Sequence, residues 1–367
     1  DRGVHVRLLV EGESVGGTVD KQGDLASEIV YIAEEIESKE NGSVKWVSQD
    51  YMNYYHSKYF IIDNNTVIIS TENFKYTGIP KDPSAGNRGW GIAVNNTEIA
   101  KKYLNVYNFD WGLANNFSYY DLVSPKKNDK VLEGNYKPIF DEPQTYEVSN
   151  TYFQTVVGPD ETIDVVVDLI NKAQDKIYAE LFYLYPTWDT YYGGKNNNPL
   201  MNGLIDAAKR DVMVQVILDS TYYNIYGNNN NDEAAAILKS HGVQIKYSNN
   251  SGGIEKFHVK ALIVDEEAVM ISSLNWNENS ATNNREIGII VNSSQVASYY
   301  VQLFKYDWEG YSSLNLGGQD QQEGFLQTTT WLTWLPIVSV LYVGILAFGF
   351  GIRRKKEKIQ KKKEFAQ

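Results

Sequence analysis

Short apolar runs recur along the chain, each entered from a polar turn. Arg2 to Val10 (RGVHVRLLV) and Arg210 to Leu218 (RDVMVQVIL) read as buried strands. Glu161 to Leu184 (ETIDVVVDLINKAQDKIYAELFYL) has helical periodicity and then a strand, and a helix over Leu200–Ala208 follows a polar loop. Two pairs of apolar runs, Tyr59–Ile62 with Thr66–Ser70 and Ala261–Val264 with Ala268–Ser272, flank short polar turns and predict hairpins. Strands alternating with helices in this way predict an α/β fold with mainly parallel or mixed sheets.

The pattern occurs twice. HSKYFIIDNNTVIISTENF (His56 to Phe74) parallels HVKALIVDEEAVMISSLNW (His258 to Trp276), and NRGWGIAV (Asn87 to Val94) parallels NREIGIIV (Asn284 to Val291). YNFDWG (Tyr107 to Gly112) parallels FKYDWEG (Phe304 to Gly310), and the opening strands complete four blocks in one order. The expected organisation is a first half over 1–117, a Pro-containing linker over 118–150 and a second half over 151–314. The block from Glu161 through Ala208 has no counterpart in the first copy. The expectation is therefore a first half that lacks its opening strand and two helices, roughly fifty residues, as in a chain with a truncated start.

Composition narrows the chemistry. There is no Cys among 367 residues, which removes disulfides, thiolate metal sites and a cysteine nucleophile. With only His5, His56, His241 and His258, a multi-histidine metal centre is not expected, and no cofactor is called for. The net charge of −12 argues against binding nucleic acid through bulk charge. Past a polar stalk over 315–330, Trp331 to Ile352 is 22 residues without a charge, and 353–367 is a basic block. These features predict a single transmembrane helix over 331–352, with the basic tail in the cytoplasm and the rest of the chain outside. Six Asn-x-Ser/Thr sequons suit an exported surface.

The candidate chemistry lies in the repeated hairpins. Residues two apart on a strand face one side, so His56 and Lys58 point together, as do His258 and Lys260. Each hairpin brings its far end back to that pair, delivering Thr71 and Asn73 to the first and Ser273 and Asn275 to the second. Asp63 and Asp265 have the opposite parity and read as turn residues. Lys, Asn, Ser and Thr can hold phosphate oxygens, a neutral histidine can attack phosphorus, and a second can protonate the leaving oxygen. Two copies meeting across a pseudo-twofold axis would supply both histidines without a metal.

These residues resemble the signature of the phospholipase D superfamily, H-x-K-x4-D-x6-G-S/G-x-N twice per site, with Ser70 and Ser272 where the family usually has Gly. The resemblance implies two α/β/α halves, an interfacial active site and a phosphohistidine intermediate. Carried over, the site is His56, Lys58, Thr71, Asn73, His258, Lys260, Ser273 and Asn275, with Thr71 and Ser273 binding phosphate. The family adds a downstream carboxylate that orients each histidine. Glu286 fits that place in the second half, whereas the aligned residue in the first is Gly89. A carboxylate beside His258 would favour it as nucleophile, family convention favours His56, and both assignments stand open. The expected activity is hydrolysis of a phospholipid or related phosphodiester, with headgroup transfer as a further option. The alternatives are a nuclease of the same superfamily and an inactive surface-binding protein.

Overall fold

The computed structural model describes residues 3–11, 23–47, 50–116, 126–127, 129–137, 144–149, 151–189, 194–226 and 231–310. The first half contains β1 (Val6–Glu11), α1 (Gly23–Glu37), β2 (Gly42–Val47), β3 (Tyr59–Ile62), β4 (Thr66–Ser70), β5 (Gly86–Arg88), β6 (Gly91–Asn95), α2 (Thr97–Leu113) and β7 (Asn115–Asn116). The second opens with β8 (Tyr152–Val157), α3 (Thr162–Asn171), β9 (Lys176–Leu181), β10 (Thr187–Asp189), β11 (Lys195–Asn197), α4 (Pro199–Lys209) and β12 (Met213–Leu218). It continues through α5 (Tyr222–Tyr226), α6 (Asn231–Ser240), β13 (Gln244–Tyr247), β14 (Ile254–Phe257), β15 (Lys260–Val264), β16 (Ala268–Ser272), α7 (Glu278–Thr282), β17 (Ile287–Asn292) and α8 (Ser294–Glu309).

The second half is a seven-stranded mixed sheet in the order β13-β12-β9-β15-β16-β17-β8. Its central strands, KALIV and AVMIS, are buried at every position, as a sheet covered on both faces requires. One core lies between this sheet and α3, α4 and α6. In the first half the equivalent strands form two separate sheets, β1-β2-β7 and β3-β4-β6. The second half joins the corresponding strands β12 and β15 through β9, and no described strand joins β1 to β3.

Both hairpins form as the alternation predicts, with Tyr59 opposite Ile69 and Ala261 opposite Ile271. Their turns need positive φ at Asp63 (51°), Asn64 (53°), Asp265 (53°) and Glu266 (57°), a conformation that Asp and Asn tolerate. The Asp265 carboxylate also accepts from the backbone N–H of Gln174, Asp175 and Lys176 at 2.8–2.9 Å, tying its hairpin to the start of β9.

The halves share a second core, in which Val67, Ile69, Trp90, Ile92 and Tyr103 meet Ile271, Ile289, Tyr300 and Phe304. Three reciprocal polar contacts cross it. Tyr103 donates to the Gly288 carbonyl at 2.5 Å, and Tyr300 donates to the Gly91 carbonyl at 2.8 Å. Arg285 grips Asp110 at 3.0–3.2 Å, and Arg88 grips Asp307 at 2.9 Å. The His56 amide donates to the Arg285 carbonyl at 2.9 Å, and the His258 amide donates to that of Arg88 at 2.8 Å. Each contact has its mirror at the aligned positions of the repeat, so the halves are related by a pseudo-twofold axis. Linker residues reinforce the junction, with the Asn135 amide on the Gly252 carbonyl and the Tyr136 amide on that of Ser84.

The expected membrane helix requires a correction to the fold class and the localisation. No helix among the described residues is long and apolar enough to cross a membrane. The longest, α2, has 17 residues and carries Glu98, Lys101, Lys102 and Asp110. At 1.5 Å per residue it spans about 25 Å, short of a hydrocarbon core of about 30 Å. The segment 331–352, the stalk and the basic tail lie outside the described residues. The described fold is a two-half α/β structure, and the single-pass placement drawn from that segment is withdrawn with it.

Arg285 and Asp110 are each only 3% exposed. Removing the guanidinium leaves a buried carboxylate without its counter-charge, so Arg285→Ala is expected to destabilise the fold by about 3–5 kcal/mol. Chemical denaturation checks this. Lys172→Ala, which breaks the solvent-exposed pair with Asp168, should leave the midpoint nearly unchanged.

Candidate active site

The pseudo-twofold axis brings the two His-x-Lys segments together. His56 and Lys58 lead into β3, and His258 and Lys260 lead into β15. Each lysine turns its ammonium back onto the carbonyl of its own histidine, Lys58 to His56 and, at 2.7 Å, Lys260 to His258. The returning strands close the arrangement, with the Ser70 amide on the Lys58 carbonyl at 3.0 Å. Ser70 and Ser272 cap the turns that follow, accepting from the amides of Glu72 and Leu274 at 3.0 and 3.3 Å. Gly288 makes room for Ser272, because a Cβ there would lie 2.3 Å from the serine Cβ.

Glu286 corrects one sequence expectation. Its carboxylate faces His56 of the other half, not His258, with His56 Nδ1 at 2.9 and 3.0 Å from its two oxygens. The cause is the crossing of the segment that carries it. Arg285 bridges Tyr55, taking the Tyr54 carbonyl with its amide and the His56 amide with its carbonyl, so the next residue enters the first half. Glu286 also accepts from Asn284 Nδ2 at 3.2 Å and from the hydroxyls of Ser273 and Ser280. Burial works against its charge, but His56, Lys58 and Ser273 outweigh it and hold the carboxyl below its ordinary range. An ionised Glu286 accepts the Nδ1 proton of His56 and leaves Nε2 as a free lone pair. Burial, with Lys58, holds the His56 imidazole itself below its ordinary value despite Glu286.

His258 has different surroundings. Phe182 packs against it edge-on, with centroids 4.6 Å apart. Its Nδ1 lies 3.4 Å from Glu72 Oε1, and neither atom has a hydrogen bond. Burial, then Lys260, Lys256, Lys58 and His56, press its pKa well below the usual value. Burial pushes the Glu72 carboxyl up to about 8 against the pull of Lys260 and a 2.9 Å hydrogen bond from Asn87. Burial likewise pushes the Lys58 ammonium down to about 8 and that of Lys260 well below its ordinary value. Two lysines are thus held with little solvent and pressed towards their neutral forms, a shift that a neighbouring anion would reverse.

The hydroxyls expected to hold phosphate are used otherwise, and that expectation is corrected. Thr71 is fully buried and accepts from the Trp90 amide at 2.9 Å. Ser273 is also fully buried, accepts from the Ile287 amide at 3.0 Å and donates to Glu286. Both brace the strand that carries the site. Asn275 is buried with its side-chain oxygen unpartnered, whereas Asn73 is only partly buried. Asp63 and Asp265 stand in the hairpin turns, at the far ends of the strands from their histidines. No cluster of three or more His, Asp or Glu side chains among the described residues is arranged to hold a metal ion.

Sequence reasoning missed Glu72, Phe182 and the two arginine–aspartate pairs. The pairs had a signal, since Arg88 and Arg285, and Asp110 and Asp307, stand at equivalent places in the two copies. Glu72 had a fainter one, an acid within an apolar-flanked motif where the second copy has Leu274.

A mitochondrial cardiolipin hydrolase of Xenopus laevis is 30% identical over 112 residues, 30% of this chain and 50% of that protein. Phospholipase D Y of Dictyostelium discoideum is 25% identical over 136 residues, 35% of this chain and 30% of that protein. The chain thus matches half or less of the length of these relatives. Among solved structures, the phosphatidylserine synthase of Haemophilus influenzae Rd KW20 superposes with a TM-score of 0.56. That match covers 89% of this chain and 80% of the other at 12% identity, a likeness of fold. A family model described as "Cardiolipin synthase, PLD-like domain" matches residues 1–111 and 166–308, including both His-x-Lys segments. With more than half of its length so matched, the chain belongs to this PLD-like family.

Proposed function

We propose that this protein hydrolyses a phosphodiester through His56 as nucleophile and His258 as proton donor. The observation that supports the assignment is the unequal hydrogen bonding of the two histidine–carboxylate pairs, His56 Nδ1 being bonded to Glu286 and His258 Nδ1 lying 3.4 Å from Glu72 without a hydrogen bond. Glu286 is ionised and holds His56 with Nε2 unprotonated, whereas the pair of Glu72 and His258 retains an additional proton up to about pH 8. In this reading His56 Nε2 attacks phosphorus and a P–N bond forms as the P–O bond to the leaving alcohol breaks. His258 Nε2–H gives its proton to the departing oxygen as the protonated Glu72 carboxyl passes its own proton to His258 Nδ1. A water molecule then attacks phosphorus, loses a proton to His258, and the P–N bond breaks to restore His56. Lys58, Lys260 and Asn275 hold the non-bridging oxygens, and the developing charge offsets the cost of burying the two lysines.

The favoured substrate is a phospholipid or a related small phosphodiester. Its support is the family membership, the names of the relatives and the −12 net charge, which disfavours a polyanionic strand. A cavity of about 330 Å³ adjoins the site through Phe182 and Asn87, with Lys75, Lys256, Thr221 and Tyr223 on its walls. It suits the alcohol portion of such a substrate, and an acceptor alcohol there in place of water would give transfer. Tyr223 is 58% exposed at this cavity and offers a ring on which a base could stack, which keeps single-stranded nucleic acid as the second reading.

A headgroup-labelled phospholipid and a labelled oligonucleotide, each incubated in EDTA, test both readings. Turnover of the lipid that falls by about 10³-fold or more in His56→Ala and in His258→Ala is the expected result. Quenched reactions should carry label on His56. Label on His258 reverses the assignment, and turnover of neither substrate overturns the reading.

The pH dependence follows from the same groups. Glu72 and Lys58 each lose a proton near pH 8, so kcat/KM should fall as pH rises through about 8. Because the His56 pKa is depressed, the nucleophile stays neutral below pH 6.5, and the acid limb should lie below the ordinary histidine range. A pH–rate profile checks both limbs.

A further inference from the structure

We infer that Glu72 is the positioning residue for His258, moved within the motif from the place where the second half carries Glu286, and that Gly89 is glycine in order to vacate that place. In the aligned repeat, Glu72 stands against Leu274, and Gly89 stands against Glu286. The two copies have therefore exchanged which of these positions bears the acid.

The geometry makes the exchange physical. A Cβ built on Gly89 would lie 2.3 Å from Glu72 Cγ, 2.4 Å from Oε1 and 2.7 Å from Cδ. The Glu72 carboxyl fills the volume that a side chain at position 89 would need, so an acid at both positions would force one of them to shift. The partner in the motif is also retained. Asn284 Nδ2 donates to Glu286 at 3.2 Å, and its equivalent Asn87 donates to Glu72 at 2.9 Å. The direction of service is retained as well, because Glu286 of the second half faces His56 of the first, and Glu72 of the first faces His258 of the second. The backbone did not have to change, since the amides of Glu72 and Leu274 both donate to the serine two residues earlier. The hydroxyl partners were lost, since Ser273 and Ser280 both donate to Glu286, and among the described residues Asn87 alone supplies a side-chain hydrogen bond to Glu72. Glu72 sets the ring of His258 from its Nδ1 side, so that Nε2 faces the reacting phosphate. The role at the reacting phosphate rests on the two-histidine reading above, but the contact with His258 does not.

The test uses the full-length protein with ¹⁵N-labelled histidine and the variants Glu72→Leu, Glu72→Gln, Gly89→Glu and Glu72→Leu/Gly89→Glu. His258 signals are assigned by their loss in His258→Ala. Nitrogen chemical shifts of the imidazole report its tautomer without any substrate. Glu72→Leu should move the His258 pair of shifts, and Glu72→Gln, which keeps the volume, should move them as well. Gly89→Glu alone should also disturb them, since two acids then compete for one volume. The double variant, which copies the second-half arrangement, should return the shifts towards the native pattern. With a substrate in hand, kcat should fall on the order of 10²-fold or more in Glu72→Leu with little change in KM, and recover in the double variant. Native His258 shifts in both Glu72 variants would overturn the inference, as would a double variant no closer to native than Glu72→Leu. If the shifts respond as expected while the native protein turns over no phosphodiester, the activity reading fails and the positioning role stands.

Discussion

The exchange of two arginines between the halves is the constraint on which the site depends. Arg285 leaves the second half to pair with Asp110 of the first, and Arg88 leaves the first to pair with Asp307 of the second. Their backbone carbonyls accept from His56 and His258 on the way. Each histidine is therefore held by the half to which it does not belong. An isolated half would lack the carbonyl that fixes its histidine and the carboxylate that faces the ring. Folding of the interface and assembly of the site are one event.

A buried cluster of His56, His258, Lys58, Lys260, Glu72 and Glu286 is expensive in the absence of a ligand. The shifts show how the cost is met. Lys58, Lys260 and the two histidines move towards neutrality, as does Glu72, and Glu286 keeps its charge because four side chains donate to it. A phosphate arriving here would draw the lysines back to their charged forms, so the same burial that costs stability sharpens binding of an anion.

Strand alternation made the His-x-Lys pairs and both hairpins legible, because side-chain period and turn residues are local properties. The turn role of Asp265 was legible for the same reason, although its grip on residues 174–176 was not, since β9 is remote in sequence. Glu286 was recognised as an orienting acid and given the wrong histidine. Aligning two copies places each residue within its own copy, and a twofold axis sends Asn284–Glu286 across to the other. The Thr71 and Ser273 hydroxyls were misread for a related reason: composition says that they can donate to phosphate, and only packing shows them bonded to Trp90, Ile287 and Glu286. The apolar run 331–352 suggested a membrane helix by length and flanking charge alone, and no described helix has that character.

Two identical halves would give two identical histidine–carboxylate pairs, with equal affinity for a proton. Such a pair of sites shares one proton without a fixed owner. The chain breaks that degeneracy with one displaced acid. Glu286 sits among two serine hydroxyls, an asparagine and His56, which favours the anion. Among the described residues Glu72 receives a side-chain hydrogen bond from Asn87 alone, and burial then favours the acid. The difference in hydrogen-bond donors separates the two carboxyls, holding Glu286 as the anion and leaving Glu72 to the effect of burial. A symmetric scaffold thereby holds its two histidines in unlike surroundings.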